Sequence, residues 1–153
     1  MLLARILFDE NYQFAQLLKV RNFLENRKIR FLPVIIKFLL YRVGHCVIHI
    51  NAKIGRVKFA HPVGVVIGEG VIIGNNVTIF QQVTIGGRGG VKVECKKYPI
   101  IEDNVIIYAG AKVIGGITVG CGSIIGANAV VIKDVPPKSL VVGIPGENRR
   151  LNE

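Results

Sequence analysis

Residues 101–131 read IEDNVIIYAGAKVIGGITVGCGSIIGANAVV, and the period of this stretch predicts the architecture of most of the chain. An aliphatic side chain returns at every sixth position, at Ile101, Ile107, Val113, Val119, Ile125 and Val131. A second series follows each member of the first after four residues, at Val105, Ala111, Ile117, Ser123, Ala129 and Val135. A period of six matches neither an amphipathic helix nor a simple strand. It is typical of a parallel β-helix built from hexapeptide repeats.

The same double series is present upstream of residue 101. Its first register holds Ile67, Ile73, Ile79 and Ile85, and its second holds Val71, Val77 and Val83. Glycines follow directly behind members of the first register, at Gly68, Gly74, Gly86, Gly120 and Gly126. We therefore expect each hexamer to form a short strand that points one aliphatic side chain inward. A corner follows, where a small residue permits a positive φ or a close backbone approach. Three strands close one coil, and the coils stack around an apolar interior.

Composition agrees with this interpretation and narrows the partners. The 153 residues are 50% hydrophobic, include 18 glycines and contain no tryptophan, which favours one compact unit built from small and β-branched side chains. The net charge of +10 predicts an anionic partner, and on charge alone this could be nucleic acid, a membrane surface or a polyphosphorylated cofactor. No nucleic-acid-binding signature accompanies the charge, so we expect no nucleic-acid partner. The three cysteines form no C-x-x-C pair, which favours a reduced, cytoplasmic setting without a bound metal.

The chain divides near residue 45. Helical spacing of apolar residues between Phe14 and Leu24 predicts one helix, and Pro33 and Gly44 are expected to begin and end a second. We expect residues 1–45 to form a helical cap, residues 46–146 the solenoid and residues 147–153 a C-terminal tail. The apolar run 31–43 is too short to span a bilayer, and we expect it to pack against the coils rather than rest on a membrane surface. The N-terminal residues lack the pattern of a signal peptide.

The repeat is interrupted twice, and interruptions are where solenoids carry function. From Ile54 to Ile67 the interval is one residue longer than two hexamers, and His61 lies in it. From Ile85 to Ile101 the interval is four residues longer than two hexamers. The additional length lies within residues 86–99, which are rich in glycine and lysine. Such a loop offers backbone N–H groups and cations to an anion.

At this point a specific resemblance emerges. Seven segments carry it, in order: HPVGVVIGE at 61–69, IGNNVT at 73–78, QVTIGG at 82–87, AGAKV at 109–113, IGA at 125–127, KDVPP at 133–137 and VGIP at 142–145. Together they resemble serine acetyltransferases of the hexapeptide acyltransferase superfamily, over about residues 49–146. The resemblance implies a mainly β fold, a left-handed parallel β-helix of hexapeptide repeats, here with a short N-terminal α-helical cap. It also implies a homotrimer that binds acetyl-CoA between neighbouring chains.

The resemblance implies roles for particular residues. His61 matches the catalytic histidine, which removes the proton of an acceptor hydroxyl as the oxygen attacks the thioester carbon. Glu69, at the next corner, is the nearest carboxylate and the candidate that orients His61. The matching cofactor positions are Gly86, Gly87, Ala109, Gly110, Ala127 and Lys133. Arg88 is a further candidate, because its charge suits a phosphate of the cofactor. No metal is expected, because a zinc enzyme of this fold requires three convergent histidines and the coils contain only His61.

The chain departs from the family at several positions. Ala60 stands where an aspartate usually precedes the catalytic histidine, and Val47 stands where the dyad aspartate falls. Tyr98 stands where a second histidine precedes the proline that closes the long loop. Those groups contact or activate serine in the family. Two alternatives to a serine O-acetyltransferase therefore stay open: an O-acetyltransferase that acts on a sugar or polysaccharide precursor, and a catalytically inactive trimeric scaffold.

Overall fold

The computed structural model describes residues 10–26, 35–36, 39, 41–42, 45–88 and 98–150. Helix α1 spans Glu10–Asn26. The strands that follow are β1 Val47–Ile48, β2 Lys53–Ile54, β3 Val57–Phe59, β4 Val66–Ile67, β5 Ile72–Ile73, β6 Val77–Ile79, β7 Thr84–Gly86, β8 Ile100–Ile101, β9 Ile106–Ile107, β10 Lys112–Ile114, β11 Thr118–Val119, β12 Ile124–Ile125, β13 Val130–Val131, β14 Ser139–Val142 and β15 Glu147–Arg150.

Successive strands go to three different sheets in turn. Sheet 1 has the order β1-β4-β7-β10-β13, sheet 2 the order β11-β8-β5-β2, and sheet 3 the order β15-β14-β12-β9-β6-β3. All of these pairings are parallel except that of β14 with β15. Each coil therefore contributes one strand to each side of a three-sided prism. The prediction of a mainly β chain that stacks hexapeptides as a parallel β-solenoid is confirmed.

Both hexapeptide registers face the interior of the prism. Residues of the first register, such as Ile67, Ile79 and Ile107, are fully buried, and so are Val71 and Val77 of the second. The expectation of one inward side chain per hexamer was therefore too low, because two point inward. A second-register residue stands two positions before the next first-register residue, as Val71 does before Ile73. Side chains two positions apart on extended backbone share a face. The second register has the smaller side chains on average, because it also holds alanine and serine, at Ala111, Ser123 and Ala129.

The corners show both of the features expected there, positive φ and close backbone approach, at two different positions. Left-handed backbone occurs three residues behind the first register, at Gly70, Asn76, Gln82, Asn104, Gly110, Gly122 and Asn128. Glycine and asparagine tolerate this conformation best. The glycines directly behind the first register instead permit close approach. At Gly74, for example, an added Cβ would overlap the Asp103 side chain of the next coil and lie only 3.0 Å from Asp103 N.

Three edges join the three sheets, and each is named for the sheets that it connects. The 3/1 edge comprises residues 60–65, 80–83, 108–111 and 126–129. The 1/2 edge comprises residues 49–52, 68–71, 87–88, 115–117 and 132–134. The 2/3 edge comprises residues 55–56, 74–76, 102–105 and 120–123. Hydrogen bonds run along each edge from coil to coil, as from Asn128 N to Ala109 O at 2.9 Å.

Helix α1 packs on the first coil. Leu18 and Leu24 are buried against it, and Asn22 Nδ2 donates to Ile54 O at 2.9 Å. Arg21 is also buried, and its guanidinium donates to the carbonyl oxygens of Ile50 at 2.9 Å and Ala52 at 2.8 Å. These carbonyls lie at the open end of the stack, where no preceding coil supplies donors, so the arginine satisfies acceptors that the repeat leaves open.

The expected second helix, from Pro33 to Gly44, lies largely outside the described residues. Ile35, Ile36, Leu39, Tyr41 and Arg42 of that segment are described, and their backbone is helical. Within the described part of the chain, no helix is both long enough and apolar enough to cross a membrane.

Candidate active site

His61 lies on the 3/1 edge, in the turn from β3 to β4. This turn, residues 60–65, is longer than the equivalent turn 80–83 of the next coil. Backbone bonds hold it on both sides: Ala60 N donates to Ile79 O at 2.9 Å, and Gln82 N donates to Val63 O at 2.9 Å. Pro62 is buried, whereas the His61 side chain is exposed. The backbone of the histidine is therefore anchored while its imidazole faces outward.

The His61 imidazole is unengaged within the described chain. None of the residues in the described ranges forms a hydrogen bond or ion pair with its ring. Ala60 offers no side-chain acceptor, and Val47 points outward from β1 with 41% of its surface exposed. Both nitrogens of the ring are thus open to a substrate or to another chain.

Three of the sequence-predicted cofactor residues share this edge with His61. Ala109 and Gly110 follow β9, and Ala127 follows β12. Gly110 N donates to Gln81 O at 2.9 Å, which ties this turn to the preceding coil. An added Cβ on Gly110 would collide with the Asn128 side chain, so only glycine leaves this turn undisturbed. Together these residues form a row that runs from His61 along the prism axis.

Two aromatic side chains on this edge, and a lysine at the start of β10 beside it, were not among the predicted site residues. Lys112 Nζ donates to Gln82 O and Gly110 O, each at 2.8 Å, and so links two consecutive turns. Phe80 and Tyr108 stack with ring centroids 5.0 Å apart and an interplanar angle of 23°. Their signal was present in the sequence, because both stand directly behind the first register, where other coils have glycine.

The other predicted site residues lie on the 1/2 edge. Gly86 ends β7, and Gly87 and Arg88 follow it. An added Cβ on Gly86 would meet nothing within 4 Å, whereas one on Gly115 would meet Arg88 Nε at 3.5 Å. The surface beside Gly86 is therefore open, and the Arg88 side chain lies over Gly115. Lys133 is exposed further along this edge, behind β13.

Glu69 also lies on the 1/2 edge, so sheet 1 separates it from His61 of the same chain. Its Oε1 accepts a hydrogen bond from Asn51 Nδ2 at 3.1 Å. Tyr98, which stands in the place of the second family histidine, packs its ring against Gly70 of this edge. The predicted site residues thus form two rows, one on each side of sheet 1. Residues 89–97 of the predicted anion-binding loop lie outside the described residues.

Neither cysteine chemistry nor a metal cluster competes for the site in the described part of the chain. No group of three His, Cys, Asp or Glu side chains is positioned there to hold an ion. Burial raises the pKa of the Cys46 thiol to about 12, although the hydrogen bonding of its own backbone opposes the shift. Cys121 is exposed, and its Sγ lies 3.7 Å from Asn104 Nδ2.

Comparison with known proteins agrees with the fold and the repeats. No family model matches the chain. Serine acetyltransferase of Bacillus subtilis (strain 168) is 50% identical over 129 residues, which are 84% of this chain and 58% of that protein. A soybean serine acetyltransferase solved in complex with serine has a TM-score of 0.83 and 36% identity, and the match covers 95% of this chain and 60% of that one. A serine acetyltransferase solved in complex with CoA has a TM-score of 0.81 and 32% identity, with the same coverages.

A prism of stacked hexapeptides with these edge motifs defines a member of the hexapeptide acyltransferase superfamily. Within that superfamily, the chain belongs to the serine acetyltransferase-like proteins. It spans about half the length of the curated relatives that it matches, between 43% and 58%.

Proposed function

We propose that the chain transfers an acetyl group from acetyl-CoA to an acceptor hydroxyl, with L-serine as the first acceptor. The observation that carries the proposal is the exposed, unengaged imidazole of His61 on the same edge as the turn Ala109–Gly110. Relatives at about half identity are serine acetyltransferases, and similar structures were solved with CoA and with serine. These comparisons support the reaction class and the acceptor.

His61 acts as the general base in this proposal. Its neutral imidazole takes the proton of the acceptor hydroxyl while the oxygen forms a bond to the carbonyl carbon of the thioester. The resulting tetrahedral oxyanion needs preorganised donors, and the backbone N–H groups of Gly86 and Gly87 are the candidates. Collapse of the intermediate breaks the carbon–sulfur bond. The leaving CoA thiolate then takes the proton from His61, which returns the base to its starting state.

A homotrimer completes the site, because the two rows of site residues lie on opposite sides of sheet 1. A second chain is needed to bring the Gly86 row of one molecule against the His61 row of another. The outer face of sheet 1 supports this arrangement. Val47 and Val66 are register partners there and expose 41% and 37% of their surfaces. Burial of such side chains between chains is favourable.

Acetyl-CoA fits the groove between these two rows. Gly86 and the small, exposed Ala127 leave room for its pantetheine arm, and Arg88 and Lys133 are exposed cations that complement its phosphates. In the same trimer, Glu69 of a neighbouring chain approaches His61. Glu69 is then the positioning residue that holds the imidazole, since Ala60 and Val47 supply no carboxylate.

One observation favours a second acceptor class, a sugar hydroxyl. The residues that follow sheet 3 on successive coils are Ala60, Phe80, Tyr108 and Gly126, so the stacked aromatic pair is flanked by residues with a minimal side chain. Coils are about 4.8 Å apart, which puts Phe80 one coil and Tyr108 two coils from the level of His61. An acceptor with a saturated ring would stack there, whereas the adenine of CoA lies at the far end of a long arm.

A thiol-release assay tests the proposal. Purified full-length chain with acetyl-CoA is offered L-serine, homoserine and nucleotide sugars in parallel. Release of CoA with L-serine supports the first acceptor, and release only with sugars supports the second. Acetyl-CoA binding without release on any hydroxyl acceptor would contradict the enzyme and favour the inactive scaffold.

A further inference from the structure

A cleft lies between helix α1 and the 2/3 edge of the first two coils, away from both rows of the proposed active site. Its volume is about 770 Å³, which is within the range of small-molecule sites. Leu18 of the helix and Ile54 and Val57 of the first coil contribute its apolar surface. It is thus large enough, and apolar enough, to hold a small organic molecule.

Three cations line this cleft: Lys19 of α1 and Arg56 and Lys58 of the first coil. All three are exposed, and no hydrogen bond or ion pair from the described residues engages their charged groups. No acidic side chain among the described residues lines the cleft. Converging like charges repel one another, and a bound anion relieves that repulsion.

Side chains of the neighbouring coils that could face these cations are either neutral or already hydrogen-bonded to backbone amides. Lys58 pairs in register with Thr78, a neutral hydroxyl. The carboxylates further along the 2/3 edge face backbone amides instead: Asp103 Oδ1 accepts from Asn75 N at 2.6 Å, and Glu102 Oε2 accepts from Cys121 N at 2.8 Å. Among the described residues, the charge of the cleft is therefore unbalanced.

We propose that this cleft binds a small organic anion, a phosphate or carboxylate that carries an apolar ring or chain. The cations hold the anionic group, and Leu18, Ile54 and Val57 contact the apolar part. The site is distinct from that for acetyl-CoA, because the proposed trimer uses the 3/1 and 1/2 edges and leaves the 2/3 edge facing solvent. Its occupant bridges α1 and the first coil and so stabilises the cap on the solenoid.

Calorimetric titration of the full-length chain at physiological salt tests this site. The probes are phenyl phosphate, benzoate and benzyl alcohol, which share a ring and differ in charge. We expect at least one of the two anions to bind at millimolar concentration or tighter and the alcohol not to bind. Binding of phenyl phosphate alone assigns a phosphate site, and binding of benzoate as well assigns a general anion site. Absence of binding by both anions would overturn the proposal.

Matched variants separate this cleft from general surface charge. Arg56→Gln and Lys58→Gln should each weaken anion binding about tenfold, the effect of one charge-assisted hydrogen bond. Lys53→Gln removes the same charge from an exposed lysine outside the cleft and should leave affinity unchanged. Saturating acetyl-CoA should also leave it unchanged. Equal losses in all three variants, or displacement of the anion by acetyl-CoA, would contradict a separate site, whether or not the chain proves to be an acetyltransferase.

Discussion

Asn51 donates a hydrogen bond from Nδ2 to Oε1 of Glu69, one coil further along the 1/2 edge, at 3.1 Å. Glu69 therefore has a partner in its own chain, and its proposed contact with His61 requires a neighbouring chain. Substitution Glu69→Gln keeps an oxygen for Asn51 but removes the negative charge. We expect kcat to fall at least about tenfold with little change in KM for acetyl-CoA, because a positioning carboxylate acts on the base.

The variant Asn51→Ala serves as the control for Glu69, since it removes the partner within the chain and leaves the carboxylate in place. Its kcat should stay close to that of the natural chain. If Glu69→Gln also retains full kcat, Glu69 is only a corner residue and another group orients His61.

The second prediction concerns the base itself. Replacing His61 with Gln should lower the rate of acetyl transfer by about a hundredfold or more. Acetyl-CoA should still raise the melting temperature of the variant, because the proposed cofactor row does not need the imidazole. The control variant is His49→Gln, which should keep its turnover, because this histidine lies on the 1/2 edge and its Nδ1 already accepts from Asn51 N at 3.2 Å. Equal turnover in the His61→Gln variant and the natural chain would exclude His61 as the base.

The third prediction uses two glycines that occupy the same place behind the first register. In Gly74→Ala, the new methyl group would overlap the Asp103 carboxylate, which accepts from Asn75 N at 2.6 Å, and would lie only 3.0 Å from Asp103 N. We expect the free energy of unfolding to fall by about 1–3 kcal/mol, the usual cost of overpacking. In Gly86→Ala, the methyl group enters open space, so stability should be retained while the affinity for acetyl-CoA falls.

Denaturant titration and acetyl-CoA binding, measured on both glycine variants, check these expectations. The pair separates a structural glycine from a ligand-facing one. Unchanged acetyl-CoA affinity in a well-folded Gly86→Ala variant would remove Gly86 from the proposed groove.

The fourth prediction addresses the acceptor through the aromatic pair. Tyr108→Gly restores the residue type that other coils have at this register and removes one of the two stacked rings. If the pair holds a sugar ring, KM for the sugar should rise about fivefold or more, as loss of one stacking contact predicts. Activity on L-serine should change little. A parallel loss on both acceptors would instead indicate that the pair contacts acetyl-CoA.

The fifth prediction concerns the thiols. Since burial raises the pKa of Cys46 to about 12 from 9.0, its thiol stays neutral in the folded chain at pH 8. In a Cys95→Ser background, iodoacetamide at pH 8 should label Cys121 and spare Cys46 until the chain unfolds. Because the pKa of Cys46 is higher in the folded chain than in the unfolded chain, its protonated thiol contributes to the free energy of unfolding. That contribution is present below pH 9 and is lost as the pH rises toward 12. Prompt labelling of Cys46 in the folded chain would contradict its burial.

Periodicity alone was enough to predict the solenoid and the first register of its core, whereas burial of the second register was not expected. A strict six-residue repeat such as Ile101 to Val131 has one structural solution, and every member of both registers is buried. Counting along the repeat also places equivalent residues of successive coils on one edge. Ala109 and Ala127 occupy equivalent places two residues behind Ile107 and Ile125, and the structure has both on the 3/1 edge.

Side-chain pairing at the corners could not be predicted in this way. Asn51 and Glu69 face solvent, so burial does not select them, and their contact depends on rotamers rather than on period. The positive φ positions were not predicted one by one, because glycine serves two purposes in this fold. Behind the first register it provides space, and three residues behind that register glycine and asparagine provide backbone freedom, as at Gly70 and Asn76. Composition does not separate the two uses.

Strand β15 has a consequence for how far such a prism can grow. A stack of parallel coils could continue indefinitely, because the last coil presents unpaired backbone N–H and C=O groups with which another coil could pair. Here β15 turns back and pairs antiparallel with β14, with Leu140 opposite Arg149 and Ser139 opposite Arg150. Its four residues are exposed, and three of them are charged. The chain thus ends sheet 3 in a short charged strand of reversed direction, which discourages end-to-end addition of further molecules into a fibre.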